Sequence, residues 1–378
     1  MIFSYPLDFF LAMLAIFLFF ASMHLLLAPL PLYVEAVGGQ PAQIGLVMGA
    51  LTLTAILSRP QVGRWADTWG RKPMLLLGAL IFSVTPLLYI AARSVPALLV
   101  VRLIPGLGLS CFTTAYAALI ADLVPAERRG EAMGVGGMAV PLSMMIAPAL
   151  GTSLMQALGF TPLFMMAALL ALLSLGVVFL LSDRPLAPSE TGNNSFFQVI
   201  RQRGIWVTSL AIGVTGISYG AIITFLPLFA VERHLGNVGF FFSVYSLAFI
   251  ASRMPAGRLS DQWGRVPVSV VTMLVLALAF GMLAGVGEML AFLIVAVVYG
   301  VSFGGSRTVL DALVADEAPV EGRGAAMSVA YCCFDLGIGT GSIVLGLVAD
   351  VLGYGGMYGV VGVVCLLGLA AFWGMMKA

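Results

Sequence analysis

Charge is what this 378-residue chain has least of. It carries 18 Lys and Arg and 17 Asp and Glu, 9% of the sequence, where an ordinary soluble domain has about 25%. So few charges cannot keep a soluble body of this size in water, nor a disordered one, and the net charge of +1 offers no basic face for nucleic acid. Cysteine is also scarce. Cys111, Cys332, Cys333 and Cys365 all fall inside apolar runs, and the adjacent pair would point about 100° apart on a helix. No disulfide framework and no zinc spacing is present, so the four read as small packing residues. The pattern G-x-x-x-x-G-K-[ST] is missing too, which removes nucleotide hydrolysis within this chain as an energy source. No cofactor or metal is expected, and with no paired nucleophile and base, no enzyme activity.

What is there is hydrocarbon. Hydrophobic residues make up 61% of the chain. A membrane-crossing helix needs about 20 mostly apolar residues. Cutting at Gly/Pro clusters and charges predicts twelve such spans: 9–34, 42–62, 74–92, 96–120, 132–157, 162–182, 205–231, 238–257, 268–287, 290–314, 325–349 and 355–376. They are continuously apolar rather than alternating, which argues against a barrel. The first is read as a span and not as a removed signal peptide. With both termini on the cytoplasmic side, twelve Lys and Arg fall in cytoplasmic loops and only Arg93 and Arg233 in the opposite ones, the bias that orients helical membrane proteins. The expected fold is therefore an all-α membrane protein. Residues 1–182 and 205–378 form two six-helix bundles joined by a polar cytoplasmic linker, 183–204.

The two halves are related in sequence. Residues 58–73, SRPQVGRWADTWGRKP, match 252–267, SRMPAGRLSDQWGRVP, at nine of sixteen positions. At the same offset of 194, residues 119–135 match 313–329 at ten of seventeen. Two blocks sharing one offset mark a duplicated unit. An even helix number per half makes the repeats parallel, related by an axis along the membrane normal.

Gly63-Arg64-x-x-Asp67-x-x-Gly70-Arg71-Lys72 resembles the signature loop of the major facilitator superfamily, and Gly257-Arg258-x-x-Asp261-x-x-Gly264-Arg265 is its second copy. Arg102-x-x-x-Gly106-x-Gly108 resembles the arginine motif of that superfamily's proton-coupled members. Ala147-Pro148-x-x-Gly151 is similar to the glycine-proline motif of its exporters, with Ala147 at the first glycine position. The resemblance covers the whole chain. It implies a bundle of twelve transmembrane helices in two pseudo-symmetric halves whose first, fourth, seventh and tenth spans line a central cavity.

The loops also have a chemistry of their own. Gly63 and Gly257 at helix ends permit close approach of a neighbour. Asp67 and Asp261 are placed to bond backbone N–H groups at a neighbouring helix start. Arg71 and Arg265 then have Asp122 and Asp316 as partners. Such clusters either act as gates that break when the cytoplasmic side opens, or serve as solvated loops that only fix topology.

Ionisable groups deep in a span are expensive and mark function. His24, Arg102, Arg307, Asp311 and Asp335 are the deep ones and the candidates for proton coupling. Tyr299, Phe303, Arg307 and Asp311 recur every four residues and share a helix face. Arg307 and Asp311 form either a coupling element or a closed structural pair. Asp335, on a face with Met327 and Tyr331, either loads and releases a proton or is a permanent partner for Arg307 or a helix start. His24 binds substrate, relays a proton or simply bonds a carbonyl. Span seven offers Thr215, Ser218, Tyr219 and Thr224. The expected cavity residues are His24, Phe112, Tyr116, Tyr219, Phe225, Tyr245, Phe303, Arg307, Tyr331 and Phe334.

The expected function is proton-coupled secondary transport by alternating access: an efflux antiporter for a small drug-like or polar metabolite, working as a monomer in the cytoplasmic (inner) membrane. A proton-coupled importer of a small polar metabolite or organic anion is the alternative. The partners are a small-molecule substrate, protons and the lipid bilayer, not nucleic acid.

Overall fold

In hydrocarbon no water is available to the backbone, so an apolar run of span length satisfies its N–H and C=O groups by coiling into a helix. A computed structural model describes residues 5–124, 129–182, 202–318 and 322–377. The linker 183–204 lies almost wholly outside the described residues. The helices are α1 (Leu7–Leu25), α2 (Pro29–Ala36), α3 (Pro41–Trp69), α4 (Arg71–Ala91), α5 (Val95–Asp122), α6 (Arg129–Gly136), α7 (Ala139–Leu158) and α8 (Phe160–Phe179). After the linker come α9 (Arg203–Glu232), α10 (Gly239–Trp263), α11 (Arg265–Ala284), α12 (Met289–Glu317) and α13 (Arg323–Lys377).

Ten helical stretches among the described residues are long and apolar enough to cross a membrane. One of them, α13, holds both of the last two expected spans, divided at Gly353. The remaining expected span is α10, whose apolar window is diluted by serines, Tyr245 and Arg253. Side chains turned outward are apolar: Leu57 is 80% exposed and Val100 63%, as a hydrocarbon-facing surface requires.

Two expected spans are interrupted. The run 9–34 breaks after Leu25, because Pro29 and Pro31 lack the N–H groups that would continue the ladder. The run 132–157 breaks at the Gly136-Gly137 pair before α7 begins.

The chain divides into two compact units, one of residues 1–39 and 50–189 and one of residues 40–49 and 190–378. This differs from a cut at the linker alone in assigning Gln40–Gly49 to the second unit. Within the first unit α1 packs along α7 and α8, and α4 along α5 and α8. Within the second, α9 packs along α13, α10 along α12, and α11 along α12 and α13. The first core is centred on Phe9, Phe19, Phe82 and Phe112. A core of the second is built from Ile205, Ile212, Met273, Leu310 and Phe372.

The repeat offset reappears in the turns. Gly70 (φ 101°) and Gly264 (φ 92°) each end one helix and start the next with no loop between them, as do Gly159 (φ 85°) and Gly353 (φ 68°). Both pairs are 194 residues apart. A side chain at such a φ is strained, so glycine is what lets a helix reverse within one residue.

Association of helices in lipid relies on close packing rather than on exclusion of water. The α9–α13 contact is the tightest example. A Cβ at Gly337 would run into the carbonyl oxygen of Gly213 and come within 3.0 Å of the Ile217 nitrogen. Gly359, on the same long helix, has nothing within 4 Å of such a Cβ. Gly337→Ala is therefore expected to destabilise the protein by about 1–3 kcal/mol through overpacking. Gly359→Ala is expected to be neutral or to stabilise by up to about 1 kcal/mol through helix propensity. Thermal unfolding of the two purified variants checks the contrast.

Candidate functional site

The loop motifs build the same cross-tie in each repeat. Arg71 is the first residue of α4 and Asp122 the last of α5, so each charge sits at the wrong end of its own helix dipole. Pairing compensates both: Arg71 Nε donates to Asp122 Oδ2 at 3.3 Å, and its Nη1 donates to the Ala66 carbonyl at 2.7 Å. In the second unit Arg265 Nε donates to Asp316 Oδ2 at 2.9 Å, and its Nη1 donates to Ser260 Oγ at 2.6 Å. Asp261 pairs with the side chain of Arg265, the first residue of α11, 2.5 Å away, where its position suggested backbone N–H groups at a helix start. The side chain of Asp67 lies outside the described residues. Gly63 and Gly257 are a correction. A Cβ at Gly63 would meet nothing within 4 Å, and one at Gly257 only a methyl of Thr308 at 3.9 Å, so neither permits a close helix approach. The glycines with a structural demand are Gly70 and Gly264, whose positive φ sets up the arginine that follows.

The second unit also holds an aromatic and ionic cluster. Phe303 on α12 is its hub, with ring centroids of Tyr219 and Tyr299 at 5.5 Å, Phe249 at 5.9 Å, and Tyr245 and Phe334 at 6.2 Å. One turn along α12, the Arg307 guanidinium lies 4.4 Å from the Phe334 ring centroid and 5.5 Å from that of Tyr331. It forms an ion pair with Asp311 at 3.1 Å, with side-chain exposures of 11% and 24%. Its Nη1 is buried and has no hydrogen-bond partner. Two rings and a carboxylate thus hold the guanidinium, leaving Nη1 as a donor in reserve. Asp335 follows Phe334 on α13, one turn from Tyr331. Chemically, the cluster presents a cation, a carboxylate and several π faces together, a set suited to a solute with both planar and polar parts.

The deep polar residues of the first unit lie elsewhere. His24 on α1 is 3% exposed, and its Nδ1 is 2.8 Å from Ser143 Oγ on α7. Ser143 spends its one proton on the Val140 carbonyl at 2.7 Å. Nδ1 of His24 is then the donor, and Nε2 of the neutral ring is left as an acceptor. Arg102 on α5 is 9% exposed and donates from Nη1 to the Tyr89 hydroxyl at 3.3 Å.

Three expected cavity residues are packing residues instead. Phe112 is fully buried, stacked on Phe19 at 4.0 Å. Phe225 is fully buried against Tyr354. The Tyr116 hydroxyl donates to the Gly136 carbonyl at 3.0 Å and is enclosed with it. The structure adds Phe249, Tyr89 and Ser143. Phe249 was readable as one turn from Tyr245; Tyr89 and Ser143 carry no sequence signal of their own.

Arg307 and Asp311 stabilise each other in a place where neither is stable alone. Arg307→Ala is expected to cost about 3 kcal/mol, because it strands the Asp311 carboxylate. Arg307→Met combined with Asp311→Leu is expected to recover most of that loss. Thermal unfolding of the single and double variants measures the difference.

The sequence matches the profile described as Major Facilitator Superfamily over residues 12–239 and again over 208–377. The staphylopine export protein of Staphylococcus aureus is 24% identical over 369 residues, covering 93% of this chain and 91% of that protein. Multidrug resistance protein MdtG of Klebsiella pneumoniae is 32% identical over 282 residues, covering 69% of this chain and 67% of its own. Among solved structures, a bacterial homolog of the human lysosomal transporter Spinster superposes with a TM-score of 0.84 at 15% identity, over 98% of this chain and 96% of that one.

Proposed function

This chain belongs to the major facilitator superfamily, a family of membrane transporters and not enzymes, and from that premise we propose that it is a proton-coupled efflux antiporter. Its substrate is a small drug-like or polar metabolite, carried by alternating access across the cytoplasmic (inner) membrane. The protein acts as a monomer with both termini in the cytoplasm. The observation that carries this reading is the Arg307–Asp311 pair set among the rings of Phe303, Phe334 and Tyr331. The relatives named as a staphylopine exporter and a multidrug resistance protein support the outward direction.

Antiport requires that proton and substrate exclude one another. Asp335 and Asp311 are the groups proposed to take the proton. Arg307 adjusts Asp311 by making or breaking their bond, while Arg102 and His24 supply the polar counterparts in the other unit. Protonating Asp311 frees the Arg307 guanidinium. A substrate bound among Tyr219, Tyr245, Phe303 and Phe334 restores the charged carboxylate or replaces it. The paired loops, with Asp67, Arg71 and Asp122 in one and Asp261, Arg265 and Asp316 in the other, act as gates. Exposed ion pairs of this kind are worth about 1 kcal/mol or less each, so they bias a closed state without locking it.

Ala147, at the first glycine position of the exporter-like motif, is the one feature that favours a proton-coupled importer instead. Proteoliposomes with a trapped pH-sensitive dye and an imposed proton gradient test both readings, using cationic drugs, sugars, amino-acid-like chelators and organic anions. The expected result is proton movement opposite to one substrate class, reduced about tenfold or more in Asp335→Asn and in Arg307→Ala. Protons moving with substrate would make the chain an importer. Full coupling in Asp335→Asn would move the proton site to Asp311 or His24.

A further inference from the structure

Arg102 is a poorly compensated charge in the first unit. A guanidinium has five N–H donors and keeps its charge in proteins. Here it is 9% exposed, uses one donor on Tyr89, and leaves Nε buried without a partner. No carboxylate pairs with it among the described residues. A charge withdrawn from water in this way is costly unless something of opposite sign meets it.

The surroundings of Arg102 are rich in donors. It lines a small cavity, about 20 Å³, together with Ser22 of α1 and Thr85 and Tyr89 of α4. The Ser22 hydroxyl is buried with no partner. The Tyr89 oxygen accepts from Arg102, so its own proton remains to be given. The Thr85 hydroxyl is already spent on the Ile81 carbonyl at 2.7 Å. The rest of the wall is apolar, from Met23, Leu26, Phe82, Pro86 and Pro105. The volume matches a single small occupant, about the size of one water.

The fold does not require this polarity. At the repeat offset of 194 that aligns α4 with α11 and α5 with α12, Thr85, Tyr89 and Arg102 fall on Ala279, Leu283 and Ala296. The second unit fills the same places with hydrocarbon.

We infer that the cavity between α1, α4 and α5 is a binding site for a single monatomic anion, chloride, held by the Arg102 guanidinium and the hydroxyls of Tyr89 and Ser22. The bound ion offsets the charge of Arg102 where it stands, in place of a carboxylate of its own. The site does not depend on substrate identity.

The test is thermal unfolding of the purified full-length protein in chloride, bromide, gluconate and sulfate at matched ionic strength. The wild-type protein is expected to gain stability saturably with chloride and bromide and not with gluconate or sulfate. Arg102→Gln is expected to abolish the chloride response. Tyr89→Phe and Ser22→Ala, which keep the packing, are expected to raise the half-saturating chloride concentration on the order of tenfold, the worth of a hydrogen bond to a charged group. Arg233→Gln, a change to an exposed arginine, is the control that keeps the wild-type response. A chloride-independent wild-type protein overturns the site, with water as the occupant. So does an unchanged chloride response in Arg102→Gln. Should Arg102→Gln fail to fold, unchanged half-saturation in both hydroxyl variants overturns it equally.

Discussion

A peptide group inside hydrocarbon has no solvent to fall back on, and most of this structure follows from that. Every spanning segment closes its own backbone bonds as a helix. Serines and threonines in the spans return their protons to carbonyls three or four residues back, as Ser83 does to Ala79 and Thr113 to Leu109. Because lipid tails are as apolar as the helices, association has to come from contact at very short range. That is why Gly216, Gly220 and Gly337 line the α9–α13 seam, where a single added carbon has nowhere to go. The same shortage of solvent makes each buried charge demand a partner, so charges become the most informative residues in the chain.

The duplication separates architecture from chemistry. What recurs at the repeat offset is mechanical: the turn glycines Gly70 and Gly264 or Gly159 and Gly353, and the cross-ties Arg71–Asp122 and Arg265–Asp316. What does not recur is the deep polar set. Arg307 and Asp311 correspond to Thr113 and Ala117 in the first repeat, and Arg102 to Ala296 in the second. Two copies of one scaffold thus carry different charges on equivalent helices, α5 and α12.

Much of this was legible in the sequence because composition and spacing carry it. Run length and hydropathy outline the spans, and two matched blocks give the repeat. The spacing of Arg307 and Asp311 gives their ion pair, and the loop motifs point to Asp122 and Asp316 as partners. Less legible was which apolar residues face inward. In a soluble helix the polar stripe marks the outside, but here Leu57, 80% exposed, and Phe19, fully buried, belong to the same hydrophobic class. Phe112 and Phe225 were therefore expected beside a cavity and are instead enclosed in packing. The role of Gly63 was misplaced for a related reason: a glycine's demand arises from its φ or from its neighbour, and sequence shows neither. Breaks inside the first and fifth spans had a readable signal in Pro29, Pro31 and the Gly136-Gly137 pair, but span length alone masked it.

The one-residue turns at Gly70, Gly159, Gly264 and Gly353 have a practical consequence for anyone wishing to watch this molecule work. A helix that leaves its predecessor after a single left-handed residue has no slack to absorb an inserted epitope, a protease site or a fluorescent domain. A spectroscopic label placed there would report its own strain. Reporters belong instead on outward helix faces such as those at Leu57 and Val351, 80% and 81% exposed, where a cysteine and its probe displace only what surrounds the protein.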